Sequence, residues 1–287
     1  MTHRSRSGEP RTPVDTFINY WDKVIQEWFC GNIDAEQQHF DKLVNPNYLP
    51  EPYIGNPKHC SFVIVNYNAG GGDNRDPMIY KDCADCLKNT ESLISYVKKK
   101  SYSEVMTQFP FLLTEEELIK RGLRGIENYS GYKWWQAKKN WIDHVAKVAN
   151  IPIIDDGLMP FAIELCAWHS KSWSNTEILT KHPLKTIIEK RVISVIIKAT
   201  KTSRVHFAYF IGKKHIPVLE DFGFHQIWGD SEEAIGEKGA NRFFAIYYHE
   251  ASNTKAIVTW TIGSNNHPGK SFFDKEEKVI LEIMKQQ

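Results

Sequence analysis

Four short, nearly unbroken apolar runs constrain this chain most: "SFVIVNY" (61–67), "FAIELCA" (161–167), "VHFAYFI" (205–211) and "AIVTWTI" (256–262). A strand with one wet face alternates apolar and polar residues, whereas a continuous run fits a strand covered on both faces, the habit of parallel sheets packed between helices. Between the second and third runs, "PLKTIIEKRVISVIIKAT" (183–200) sets Leu184, Ile187, Ile188, Val192, Val195 and Ile196 on one helical face. Strand, helix, strand at this spacing is a β-α-β crossover. The expected fold is α/β: a three-layer αβα sandwich around a central, mainly parallel four-stranded sheet.

The remaining segments attach to that frame. Residues 14–29 carry Phe17, Tyr20, Trp21, Val24, Ile25 and Trp28 at helical steps, which predicts an amphipathic helix with an aromatic inner face. "NPNYLPEPYIGNP" (45–57), with four prolines and two Asn-Pro pairs, predicts an ordered, extended crossing of the surface into the first strand. Residues 243–249 with "SNTK" (252–255) read as a hairpin added to the sheet. The organisation expected is a polar tail over 1–13 and a single α/β domain over 14–287, with a helical insertion at 77–150.

Composition excludes little. Across 287 residues, 36 Lys and Arg against 35 Asp and Glu leave a formal charge of +1, so no global field announces a nucleic-acid partner, though a local basic patch is compatible with it. The basic start "MTHRSRSGEPRTP" lacks a following apolar segment and no stretch is long enough to span a bilayer, which predicts a soluble, cytoplasmic protein with no membrane partner. Five cysteines, an odd number thinly spread, predict reduced thiols. Cys83 and Cys86 have the spacing of a metal or redox pair, but no second pair completes a ligand set, so helix-face cysteines are the competing reading and neither a metal nor a cofactor is expected.

Ligands of parallel α/β folds bind beyond the carboxyl ends of the strands. The first run leads into Asn66, Tyr67, Asn68 and the glycines Gly70, Gly71 and Gly72; the second into Trp168, His169, Ser170 and Lys171. The third leads into Gly212, Lys213, Lys214 and His215, and the fourth into Asn266, His267, Pro268, Gly269 and Lys270. The glycine run matches neither a Walker loop nor a dinucleotide fingerprint; it permits close backbone approach to a phosphate, or is simply a turn. Asn66 and Asn68 could orient a water or a substrate amide, or cap their own loop. His169 and His267 could stabilise a developing anion. Glu164 lies within an apolar run, either as a buried structural partner or as a ligand reader. In "SGYKWWQAKKNW", Tyr132, Trp134, Trp135 and Trp141 interleave with Lys133, Lys138 and Lys139, which fits base stacking beside phosphate attraction or, alternatively, a helix with an aromatic core stripe, Trp134, Ile142 and Val145 at helical spacing, and a lysine-coated face. Lys98, Lys99 and Lys100 add a basic run.

Taken in order, Asn68-Ala69-Gly70, "IELCAWHS" (163–170), "FIGKKHIPVLEDFGF" (210–224) and Asn266-His267-Pro268-Gly269 resemble the motifs of the uracil-DNA glycosylase superfamily over roughly residues 48–275. Ala69 stands where that family has a proline, and Gly269 where it has a serine. The resemblance implies a base-flipping N-glycosidase acting on DNA more than RNA. It gives Asn68 the attacking water and His267 the departing base as catalytic residues, with Tyr67, Glu164, His169 and Asn266 at the base. Gly70, Gly71, Ser170, Lys171 and Lys270 are then backbone or phosphate contacts. A non-catalytic nucleic-acid or nucleotide-binding module on the same scaffold is the alternative. A hydrolase built on His169 and Ser170 is a third reading, and it would need His267 as base.

Overall fold

The strand-forming runs assemble in the computed structural model into one mixed sheet of seven strands, ordered β1-β3-β2-β4-β7-β6-β5. The described residues are 12–32, 49–57, 60, 62–70, 98, 100–106, 113–120, 132–133, 135–136, 139–140, 143, 147, 160–170, 193–196, 208–212, 215–229 and 244–259. In chain order the strands are β1 (Tyr53–Ile54), β2 (Phe62–Gly70), β3 (Pro160–Ser170), β4 (Ala208–Ile211), β5 (His225–Gly229), β6 (Phe244–His249) and β7 (Thr254–Thr259). Among the described residues, the helices with both ends described are α1 (Pro13–Phe29), α2 (Tyr102–Met106), α3 (Glu115–Lys120) and α4 (Ile216–Asp221).

All four apolar runs contain strands, and these lie together in the order β3-β2-β4-β7, each parallel to its neighbours. Successive strand residues point to opposite faces, so the complete burial of Val63, Ile64 and Val65 means that both faces of the sheet are covered at its centre. That is why these segments read as continuous runs rather than alternating ones. Among the described residues the sheet has seven strands where four were expected: β1 pairs antiparallel with β3 on one side, and β6 and β5 extend the other side antiparallel beyond β7. The sheet is therefore mixed.

One added strand comes from the proline-bearing segment. Prolines 50, 52 and 57 leave short stretches able to pair, and these are used: Glu51 N donates to Ala167 O at 2.8 Å, and Pro52 O accepts from Glu164 N at 3.0 Å. The segment thus contributes β1 instead of merely crossing the surface. Residues 244–249 form their hairpin with β7 itself, whose first residues are Thr254 and Lys255, through a turn over Glu250–Ser252 closed by Asn253 at φ 52°. Asparagine tolerates this left-handed conformation better than most residues.

The amphipathic helix is present as α1, with Val14, Phe17, Trp21, Val24 and Ile25 inward. Thr12 opens it: its Oγ1 accepts from Asp15 N at 3.2 Å, and the Asp15 carboxylate accepts from Thr12 N at 3.3 Å, with Pro13 at the start of the first turn. Thr12, read as part of a polar tail, is the cap. Phe17 of α1 and Tyr102 of α2 both pack on Tyr53, which also meets Phe161, at ring separations of 5.5, 5.2 and 5.6 Å. Asp22 ties the two helices by accepting from Ser103 N at 2.9 Å and Ser103 Oγ at 2.6 Å. Within 77–150 the described elements are helical, and within 183–200 the described residues 193–196 are helical. No described helix is long and apolar enough to cross a membrane.

Candidate functional site

Chain direction locates a switch point in the parallel strands. From β2 the chain moves outward to β3, then returns across β2 to β4, and from β4 it proceeds the other way, to the far edge at β5 and back through β6 to β7. β2 and β4 are therefore neighbours whose onward connections diverge, and in doubly wound sheets ligands bind at such a point, beyond the carboxyl ends. β2 brings Asn66, Tyr67, Asn68 and Gly70 toward it; β3 brings Glu164, His169 and Ser170; β4 ends at Ile211 and turns at Gly212.

The first two strand ends run further than the apolar residues suggested. Asn68 and Gly70 belong to β2, and His169 and Ser170 to β3, so they are strand residues and not loop residues. Their backbones pair, with Asn68 opposite Cys166 and Gly70 opposite Ser170. Two residues of β2 are thus matched by four of β3, a bulge that lies at the carboxyl ends of these strands. Such irregularities re-aim side chains and are common beside binding sites. Gly71, Lys171, Asn266, His267, Gly269, Lys270 and the Cys83–Cys86 pair lie outside the described residues, as do Trp134, Trp141, Ile142 and Val145.

Glu164 and Asn66 are register partners on β3 and β2. Asn66 Nδ2 donates to Glu164 Oε1 at 3.0 Å, while Glu164 Oε2 is buried without a partner among the described residues. Burial pushes the Glu164 carboxyl up to about 8; the Asn66 bond acts against this and the charge of Glu51 adds to it. Glu164 is thereby an uncharged acid near neutral pH. The pairing with Asn66 was not foreseen, although a signal existed: in strands that start level, each is the first polar residue after an apolar run of equal length.

Other expectations separate cleanly. His215, after β4, is buried against Phe210 at 5.3 Å, and burial pushes its imidazole down to about 3 despite a bond to the Ile211 backbone. It precedes α4 as a neutral, structural ring. Tyr132 and Trp135 are core residues, 6% and 7% exposed, so neither offers a face to a stacking base. Tyr132 Oη and Gln136 Nε2 instead both donate to Leu113 O, at 3.2 and 2.9 Å, and Lys139 pairs with Asp143 at 2.8 Å. The aromatic-core reading holds for these residues. Lys98, Lys100 and Lys133 are exposed.

A described serine–histidine contact does exist, His249 Nδ1 to Ser252 Oγ at 2.6 Å, but Ser252 gives its own proton to Thr254 Oγ1 at 2.8 Å. The ring therefore donates to the serine and cannot act as its base, and this turn precedes β7, at the amino end of the parallel strands. Among the described residues, no group of three or more His, Cys, Asp and Glu is arranged to hold a metal. Comparison with protein-family models, curated proteins and solved structures finds no match for the chain.

Proposed function

We propose that the chain is a nucleic-acid base N-glycosylase that hydrolyses the N-glycosidic bond of a flipped uracil-like or damaged base in DNA, with the base seated beyond the carboxyl ends of β2 and β4. The observation that carries this reading is the Asn66–Glu164 pair, an uncharged acid and an amide side by side two residues before Asn68 on β2. A buried, neutral hydrogen-bonding pair of this kind suits the edge of an uncharged base, which a flipped nucleotide presents once it leaves the stack.

In this reading Asn68 orients the attacking water through its amide, which cannot take the water's proton. Water oxygen bonds to the sugar carbon as the carbon–nitrogen bond breaks, the electron pair leaves with the base, and His267 donates to the base oxygen on which negative charge develops. The base ends protonated by the proton that water gives up. Tyr67, His169 and Asn266 contact the base; Gly70, Gly71, Ser170, Lys171 and Lys270 contact the backbone.

The test is base release from oligonucleotides carrying uracil, hypoxanthine or a mismatch, read as alkali-labile abasic sites. Release is expected, and Asn68→Ala and His267→Ala should each slow it by about 100-fold or more. Absence of release from every substrate by folded protein rejects catalysis. Binding of labelled DNA with a steep salt dependence, without release, would then favour the non-catalytic module.

A further inference from the structure

Three consecutive lysines, Lys98, Lys99 and Lys100, lead into three consecutive hydroxyl residues, Ser101, Tyr102 and Ser103. The hydroxyls differ in what they do. Tyr102 is fully buried and donates to Tyr53 O at 2.7 Å, and Ser103, within α2, donates from Oγ to the Asp22 carboxylate of α1 at 2.6 Å. Ser101 is half-buried and lies just before the helix. Its Oγ bonds to Glu104 at the surface, accepting from Glu104 N at 3.2 Å and donating to Glu104 Oε2 at 3.3 Å. Lys98 and Lys100 beside it are exposed. A surface serine preceded by basic residues is the charge pattern that one class of protein kinase selects.

The next hydroxyl gives such a modification a consequence. Ser101 Oγ stands 3.1 Å from Ser103 Oγ, and Ser103 ties α2 to α1 through its N and Oγ, which donate to Asp22 at 2.9 and 2.6 Å. A phosphate on Ser101 brings acceptor oxygens to that hydroxyl and sets negative charge beside the Asp22 and Glu104 carboxylates.

We infer that Ser101 is a phosphorylation site whose modification releases α1 from α2. Ser101 Oγ attacks the terminal phosphorus of ATP, the bridging oxygen–phosphorus bond breaks, ADP leaves with the electron pair, and the hydroxyl proton passes to the kinase's base. The phosphate takes the Ser103 hydroxyl and repels Asp22, while Lys98 and Lys100 supply opposite charge. This device is independent of the chemistry at the strand ends.

The experiment treats the folded full chain with ATP and a serine/threonine kinase that selects basic residues before its serine, locates the phosphoryl group by fragment mass, and follows amide hydrogen exchange. Uptake is expected at Ser101, and replacing both lysines, Lys98→Glu with Lys100→Glu, should slow it about tenfold or more. In the phosphorylated chain the amides of α1 from Trp21 to Ile25 should exchange about tenfold or more faster, with those of β6 and β7 unchanged. Ser101→Ala, given the same treatment, should keep the exchange of the untreated chain. Asp22→Asn leaves Ser103 an acceptor without the charge, so phosphorylation should accelerate its α1 exchange less than in the native chain. No phosphoryl group at Ser101, uptake indifferent to the two lysines, unchanged α1 exchange, acceleration that extends to β6 and β7, acceleration in Ser101→Ala, or equal acceleration in Asp22→Asn each overturns the inference.

Discussion

Asn66 and Glu164, 98 residues apart in sequence, are cross-strand partners on adjacent parallel strands, joined by an amide-to-carboxyl hydrogen bond of 3.0 Å. The bond belongs to two central strands, so the chemistry of the pair and the stability of the sheet are coupled.

That coupling has a pH signature. The folded carboxyl titrates at about 8 against an ordinary value of 4.5, so between these values the folded chain holds a proton that the unfolded chain has lost. Stability should fall as pH rises through this window, by up to about 1.4 kcal/mol per pH unit, and level off above it. Glu164→Gln removes the titration. Thermal unfolding of both chains across the window should show the variant gaining on the native protein as pH increases; parallel curves would show that the carboxyl is ionised in the fold.

Removing the amide should move the acid in a known direction. The Asn66 bond holds the Glu164 carboxyl below the value that burial alone would impose. Asn66→Ala should therefore raise the midpoint further, seen in the carbon-13 titration of Glu164, at a stability cost of about 1–3 kcal/mol. A lowered midpoint would mean that water enters the vacated space and solvates the carboxylate.

His215 acts with the opposite sign. Its folded imidazole titrates at about 3 against an ordinary 6.5, so on acidification the unfolded chain takes up a proton that the folded chain refuses. Stability is lost as pH falls through that range, again by up to about 1.4 kcal/mol per unit. Where the two windows overlap, the slopes from Glu164 and His215 oppose each other. His215→Asn should flatten the acid limb of a denaturant-unfolding series and leave the alkaline limb unchanged; an unaltered acid limb would assign acid lability to other groups.

What could be read in the sequence follows from where water is excluded. The four central strands were legible because Val63 to Val65, Phe161 to Ile163 and their counterparts in β4 and β7 are buried on both faces and leave no alternation. β5 was not legible: "HQIWG" is a largely exposed edge strand, with polar residues and a single aromatic, and carries no periodic signal. β1 is two residues long, and only its tertiary partners make it a strand. The ends of β2 and β3 were placed early because apolar character stops before hydrogen bonding does; the ladder continues through Asn68 to Gly70 and through His169 to Ser170. Glu164 stood out as a carboxylate in an apolar run, but its partner could be named only once the register of β2 on β3 was known. Burial of Tyr132 and Trp135 was one of two readings that the same spacing allowed, and packing decided between them.

A second buried polar rung among the described residues ties β4 to β7. Tyr209 Oη and Thr259 Oγ1 share a hydrogen bond of 3.0 Å in the core, and one register step further Gly212 N, at φ 117°, donates to Thr259 O at 2.8 Å. Thr259 thus anchors the strand that leads toward His267 from both its side chain and its backbone. Tyr209→Phe and Thr259→Val should each cost about 1–2 kcal/mol, because each leaves the other hydroxyl without this partner in a buried setting. The double variant should cost less than the sum, with a coupling of about 1 kcal/mol in a denaturant-unfolding cycle. Additive losses would show that the two hydroxyls do not stabilise one another. If His267 acts on the departing base, the same variants should also slow base release while leaving the pH window of Glu164 where it was, since that acid lies across β2 from this rung.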